Sequence, residues 1–150
     1  MTRTVAPFLL ALALGFVLDD ASLAAQAPPP TLLGRWHGTS ICVKASWNAS
    51  CNDEEAFYDF LPAPDGLPRI LLHAYKRVGT AIEPMGDMEF LPDSGQARWA
   101  GEFSNSRVHI RWVYQVADSG LTGSLILLPS MQLARNVRAK RDSTWAPPPN

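Results

Sequence analysis

The sequence is short of the residues from which catalytic centres are built. It holds two cysteines and three histidines in 150 residues. His37, His73 and His109 fall on three different candidate strands, too dispersed for the converging ligands of a zinc site, and read as singly exposed side chains. No Gly-x-Ser-x-Gly elbow presents a serine nucleophile. Gly120-Leu121-Thr122-Gly123-Ser124 turns into a strand and offers no helix start to a phosphate. Net charge is nearly absent as well. The net value is −1, and setting residues 1–25 aside leaves 12 basic and 12 acidic side chains. That balance gives no basis for bulk binding to nucleic acid or to an anionic membrane. Sustained helical periodicity is missing after the first residues, and no internal repeat is present. The expectation is a protein without catalytic residues, metal or cofactor.

Long hydrophobic runs are also lacking. The longest, Val5 to Leu18, has 14 residues broken by Pro7 and Gly15, whereas a membrane-spanning helix needs about 20. With Arg3 before it and Ala21-Ser22-Leu23-Ala24-Ala25-Gln26-Ala27 after it, the run reads as a secretory signal cleaved after residue 24, 25 or 27. No cysteine stands there to carry a lipid. The expected organisation is a cleaved signal over 1–25, a proline-rich spacer over 26–32, one folded domain over 33–142 and a proline-rich disordered tail over 143–150. About 123 residues remain, enough for one core. The expected location is the periplasm or the extracellular space, and the expected state is a monomer.

In such a compartment an even cysteine count favours a disulfide, here between Cys42 and Cys51. Closing so short a loop stabilises the folded state by roughly 2–3 kcal/mol in the chain-entropy picture.

What the chain does have is alternation with period two, punctuated by turn residues. Candidate strands run about 33–44, 54–61, 69–78, 85–91, 96–103, 108–116, 121–128 and 132–141. Residues 80–83 extend the third past a bulge at Gly79. The sixth is the clearest, with Val108, Ile110, Trp112, Tyr114 and Val116 on one face. Eight strands in simple succession leave two exposed edges unless the last pairs with the first. The predicted fold is therefore all-β: a single antiparallel eight-stranded up-and-down barrel, with a two-sheet sandwich as the alternative.

Gly34-Arg35-Trp36 on the first strand resembles the early Gly-x-Trp of the lipocalins and the wider calycin group. The resemblance covers the terminal strands and the strand count, and no Thr-Asp-Tyr segment accompanies it. It implies that Trp36 plugs the closed end of a barrel and that a late basic residue packs across it. Arg141, on the same face as Leu133 and Val137, is the better candidate than Arg138.

The remaining clusters read as structural. Arg135, Arg138, Lys140 and Arg141 alternate, two to each face, as a solvated or ion-paired end strand. Asp53-Glu54-Glu55, with Asp59, lacks calcium-loop spacing, and its consecutive carboxylates point to opposite faces. Asn48-Ala49-Ser50 matches a glycosylation acceptor, meaningful only in a eukaryotic secretory host.

The aromatic residues converge best. Tyr58, Phe60, Trp99, Phe103, Trp112 and Tyr114 are the candidate lining of a cavity for a small apolar or amphipathic ligand. The competing reading is that these rings simply fill the barrel. The expected function is non-enzymatic binding of such a ligand or of an envelope component. The alternative is a protein-interaction module, such as an inhibitor of a wall-degrading enzyme. Small periplasmic lysozyme-inhibiting barrels are similar in size, export and disulfide, but their Ser-Gly-x-x-Tyr loop is absent here. The export reading has a direct check: the exported protein, weighed intact by mass spectrometry, should begin at Ala25, Gln26 or Pro28.

Overall fold

Strands with one apolar face need something to bury that face against, and here they curl round to bury it against one another. The computed structural model describes residues 31–43, 51–94, 97–117 and 120–148. The signal over 1–25, the prolines at 28–30, Trp47 and Asn48-Ala49-Ser50 lie outside the described residues. The strands are β1 (Gly34–Cys42), β2 (Glu54–Pro62), β3 (Ile70–Val78), β4 (Ala81–Pro92), β5 (Arg98–Ser104), β6 (His109–Ala117), β7 (Gly120–Leu127) and β8 (Gln132–Arg141). Each pairs antiparallel with the next, and β8 returns to β1 from Trp36↔Arg141 to Cys42↔Arg135. The sheet is a closed up-and-down barrel. Among the described residues no helix is long and apolar enough to cross a membrane.

Residues 80–83 do not continue β3. Gly79 (φ 60°) and Thr80 form a hairpin turn, and Ala81 already pairs with Val78 as the start of β4. Gly79 supplies the left-handed backbone that a tight turn needs, so the glycine marks a reversal and no bulge. The irregularity in this pair of strands falls further on, between Ala74 and Tyr75.

One end of the barrel is solid. Leu32, Trp36, Phe60, Ile70, Phe90, Tyr114, Val116, Leu121, Val137 and Ala139 form its buried core. Phe60 meets Tyr114 edge-on at 5.3 Å, and Phe90 meets Tyr114 at the same separation. Such T-shaped contacts suit the ring quadrupoles. The Trp36 indole N–H donates to Leu32 O at 2.8 Å, and the Arg141 guanidinium lies over the Trp36 ring with Cζ 4.4 Å from its centre. Arg141 also donates to the carbonyls of Thr31 and Leu33. Leu32 and the chain leading into β1 are thereby tied across that end.

Small residues make room for these rings. A Cβ on Gly38 would stand 2.0 Å from Arg138 O, so β1 and β8 approach closely only because the position is bare. Gly123 faces Tyr114 across β6 and β7, and a Cβ there would meet the phenol ring at 2.6 Å.

A second layer lies outside. Residues 143–148, in the segment expected to be disordered, run back over the outer faces of β2 and β3. Trp145 is 7% exposed; its ring packs edge-on against Phe57 at 5.4 Å and Tyr75 at 5.6 Å. Its carbonyl accepts from Arg35 Nη1 at 3.0 Å. Burying an indole offsets the entropy of ordering a short strap, and the prolines lower that entropy cost.

One junction differs from the rest. β4 and β5 share two paired positions, Leu91↔Ala100 and Pro92↔Trp99, where every other junction has seven or more. Most of β4 therefore pairs on one side only.

Gly123→Ala should lower stability by about 1–3 kcal/mol, because its Cβ would stand 2.6 Å from the Tyr114 ring and 3.1 Å from Val137 Cβ, forcing the buried phenol out of its packed position. The midpoint of chemical denaturation measures the loss, and an unchanged midpoint would contradict the packing described.

Candidate functional site

The other half of the barrel is hollow. Beyond the Tyr58 and Tyr114 rings the lumen holds a cavity of about 320 Å³. That is at the small end of the roughly 300–1,000 Å³ usual for ligand pockets. Its walls are largely apolar: Leu72 and Ala74 on β3, Met85 and Met88 on β4, Phe103 on β5 and Trp112 on β6. The Trp112 ring lies parallel to that of Tyr114, centres 5.7 Å apart, and extends the closed-end aromatic stack into the hollow. On the β4–β5 side the wall is formed by Met85 to Met88 and Phe103, beyond the two paired positions of that junction.

The polar side is built on Arg135. Alternation along β8 turns Arg135 inward, as it does Val137, Ala139 and Arg141. Its side chain is 10% exposed. Nε donates to Ser40 Oγ at 2.8 Å. Nη2 reaches Glu54 Oε2 at 2.8 Å, Asn52 O at 2.8 Å and Ser40 O at 3.0 Å. Lys76 Nζ stands 3.7 Å from the other oxygen of Glu54. A buried guanidinium is tolerable only with such partners. Nη1 is less well served. Among the described residues its one polar contact is the weak acceptor Cys51 Sγ, at 3.6 Å.

The disulfide holds this arrangement in place. Cys42 and Cys51 are bonded, with Cα atoms 5.9 Å apart. Four acceptors of Arg135 come from residues 40, 51 and 52, at the two ends of the stapled loop. The Cys42 N–H adds a bond to Asp53 Oδ1 at 2.8 Å.

Two phenols form the floor. Tyr58 and Tyr114 are each at most 2% exposed. Burial pushes both hydroxyls well above the ordinary tyrosine range, while hydrogen bonds from Ser40 and Tyr114 act on Tyr58 in the opposite direction. Both stay neutral throughout the physiological range. The cavity can therefore offer apolar contact and hydrogen bonds.

Of the six aromatic residues expected to line a cavity, Tyr58, Phe103, Trp112 and Tyr114 do so. Phe60 does not; it is 1% exposed within the closed-end core. Trp99 packs against the same core from the start of β5. Both lie on the correct face at the wrong height. Arg135, Glu54 and Ser40 were not singled out as site residues. Alternation could have turned Arg135 and Arg141 to the same side, but nothing in the sequence paired Arg135 with Glu54.

The three histidines each meet a carboxylate: His37 with Glu55 (2.8 Å) and Asp142 (3.3 Å), His73 with Asp87 (2.6 Å) and His109 with Glu102 (3.4 Å). His37 also stacks on Phe57 at 4.3 Å. The acidic run splits as alternation requires, Glu54 inward to Arg135 and Glu55 outward to Arg77 and His37. No cluster of metal-ligating side chains occurs among the described residues.

The chain matches no family model, and a search of the curated proteins finds no match. What can be said of the site therefore rests on its own geometry. The protein is an all-β closed barrel of eight strands, compatible with a lipocalin-like architecture.

Arg135→Met should cost about 2–4 kcal/mol by taking the nearer cation from Glu54 and leaving it Lys76 at 3.7 Å. Adding Glu54→Gln should recover at least half of that loss. Denaturant titration of the two single variants and the double variant checks the cycle. A double-variant loss equal to the sum of the two single losses would show that the pair is not coupled.

Proposed function

We propose that this is an exported, non-enzymatic binding protein that holds one small apolar or amphipathic molecule in the open half of its barrel. The observation that carries the reading is the division of the interior. One half is packed solid by Trp36, Phe60, Phe90 and Tyr114, while the other keeps a cavity of about 320 Å³ walled by apolar side chains. A barrel needing only stability gains from filling its lumen, since apolar side chains packed there would be removed from water, whereas this space opens beside the exposed Met85 and Phe103. Retaining the hollow is most simply explained by use.

Export is supported by the Arg3-led apolar segment and by the Cys42–Cys51 disulfide, which suits an oxidising compartment. The Gly34-x-Trp36 segment, with Arg141 across the indole, supports a lipocalin-like relationship and suggests a carrier role. In this reading the ligand enters beside Phe103 and Met85, both partly solvent-exposed, and buries its apolar body against Trp112, Leu72 and Met88.

A neutral naphthylamine dye whose emission rises on burial provides the test. The protein should enhance its fluorescence with one binding site. Ala74→Phe, which places a ring in the cavity, should abolish that enhancement and leave the circular dichroism unchanged. No enhancement, or enhancement indifferent to Ala74→Phe, would overturn the reading.

A further inference from the structure

The charges around the cavity say more about its occupant. We infer that the site takes an uncharged molecule: an apolar chain bearing a single carbonyl-type oxygen, which accepts a hydrogen bond from Arg135 Nη1. The inference rests on the binding function proposed above and specifies its ligand.

Two observations carry it. The first is the unequal use of the Arg135 guanidinium. Nε and Nη2 are held by Ser40, Asn52 and Glu54 at 2.8–3.0 Å, so the group cannot swing away. Nη1 meets only the Cys51 sulfur at 3.6 Å among the described residues, and Arg135 lines the cavity. A fixed cationic donor with unused capacity, on a side chain 10% exposed, is set to receive an acceptor.

The second is the absence of spare positive charge. Arg135 is the one arginine or lysine among the residues lining the cavity, and Glu54 lies against it at 2.8 Å, with Lys76 3.7 Å from the other oxygen of Glu54. Asp87 adds a further carboxylate to the lining, beside His73. The lining therefore sets one guanidinium against two carboxylates, Glu54 and Asp87. A ligand carboxylate reaching Nη1 would share the guanidinium with Glu54 and surrender its own hydration. A ketone, ester or amide oxygen gives up far less water and meets no repulsion. Tyr58 and Tyr114, neutral because they are buried, add no charge to change this balance.

Three probes of matched shape separate the possibilities without altering the protein: 2-heptanone, 2-methyl-1-heptene (in which a CH₂ group replaces the oxygen) and heptanoate at pH 7.5. Calorimetric titration of the mature protein should give a dissociation constant at least tenfold lower for the ketone than for either of the others, about 1.4 kcal/mol. Arg135→Lys, which keeps the charge but has no Nη1, should bring ketone and alkene to equal affinity. Tighter binding of heptanoate would overturn the uncharged-ligand inference while leaving the binding function intact. Equal binding of alkene and ketone to the unmodified protein would overturn the role of Nη1. Failure of all three to bind would remove this inference, and a dye that still binds in an Ala74-dependent way would keep the broader reading alive.

Discussion

The return of β8 to β1 is the constraint on which the rest of the molecule depends. Closure takes every strand but part of β4 and β5 out of contact with water as an edge, and it fixes the width of the lumen. It also requires close approach at Gly38, where a side chain would collide with the β8 backbone. Once β8 is seated, its alternation sends two cations into the interior six residues apart. Arg141 arrives at the closed end, where an indole face and two carbonyls receive it. Arg135 arrives at the open end, where Ser40, Asn52 and Glu54 receive it. One strand thus supplies both the plug's tie and the polar side of the cavity. The two arginines differ in what the lumen offers at each height, not in how they are presented.

That difference runs through the whole interior. At the closed end the rings of Phe60, Phe90 and Tyr114 interlock, and glycine at 123 lets the strands approach around them. At the open end the wall positions carry Ala74 and Gly86, flexible methionines and the rings of Phe103 and Trp112. Those side chains leave the lumen unfilled, and the space left is the cavity of about 320 Å³. Methionine suits such a wall because its thioether stem can adapt to more than one shape. The stapled loop between β1 and β2 gives the polar side the opposite quality, holding the acceptors of Arg135 in fixed positions.

Much of the architecture was legible in the sequence because it depends on local rules. The alternation of Val108, Ile110, Trp112, Tyr114 and Val116 marks a half-buried strand, and β6 forms there. The eight-strand count, the disulfide and the contact of Arg141 with Trp36 followed from strand order, compartment and the Gly34-x-Trp36 segment. What escaped depends on height along the barrel axis or on single residues without a period. Phe60 and Tyr58 share a face and both are buried in the core, yet only Tyr58 meets the cavity, because the registers of β2 with β1 and β3 set them at different depths. Glu54 and Arg135 lie 81 residues apart and meet only when the barrel closes. Trp145 stands among prolines with no alternation to announce it, and its partners Phe57 and Tyr75 lie on an outer face that reads as solvent-exposed. The histidines escaped as pairs because their carboxylates come from neighbouring segments.

The sparse pairing between β4 and β5 has a consequence for how copies of this protein tolerate one another. A barrel normally hides all its backbone donors and acceptors, but here much of β4 has a side with no ladder partner. Such an edge is a template on which a second chain could add a strand and begin an aggregate. The residues along it answer that hazard. Pro84 has no N–H to offer, Gly86 sits at φ 145° where an ordinary strand would not, and Glu83 and Asp87 place like charges along any approaching copy. The edge can remain open beside the cavity because its own sequence makes it a poor place to polymerise.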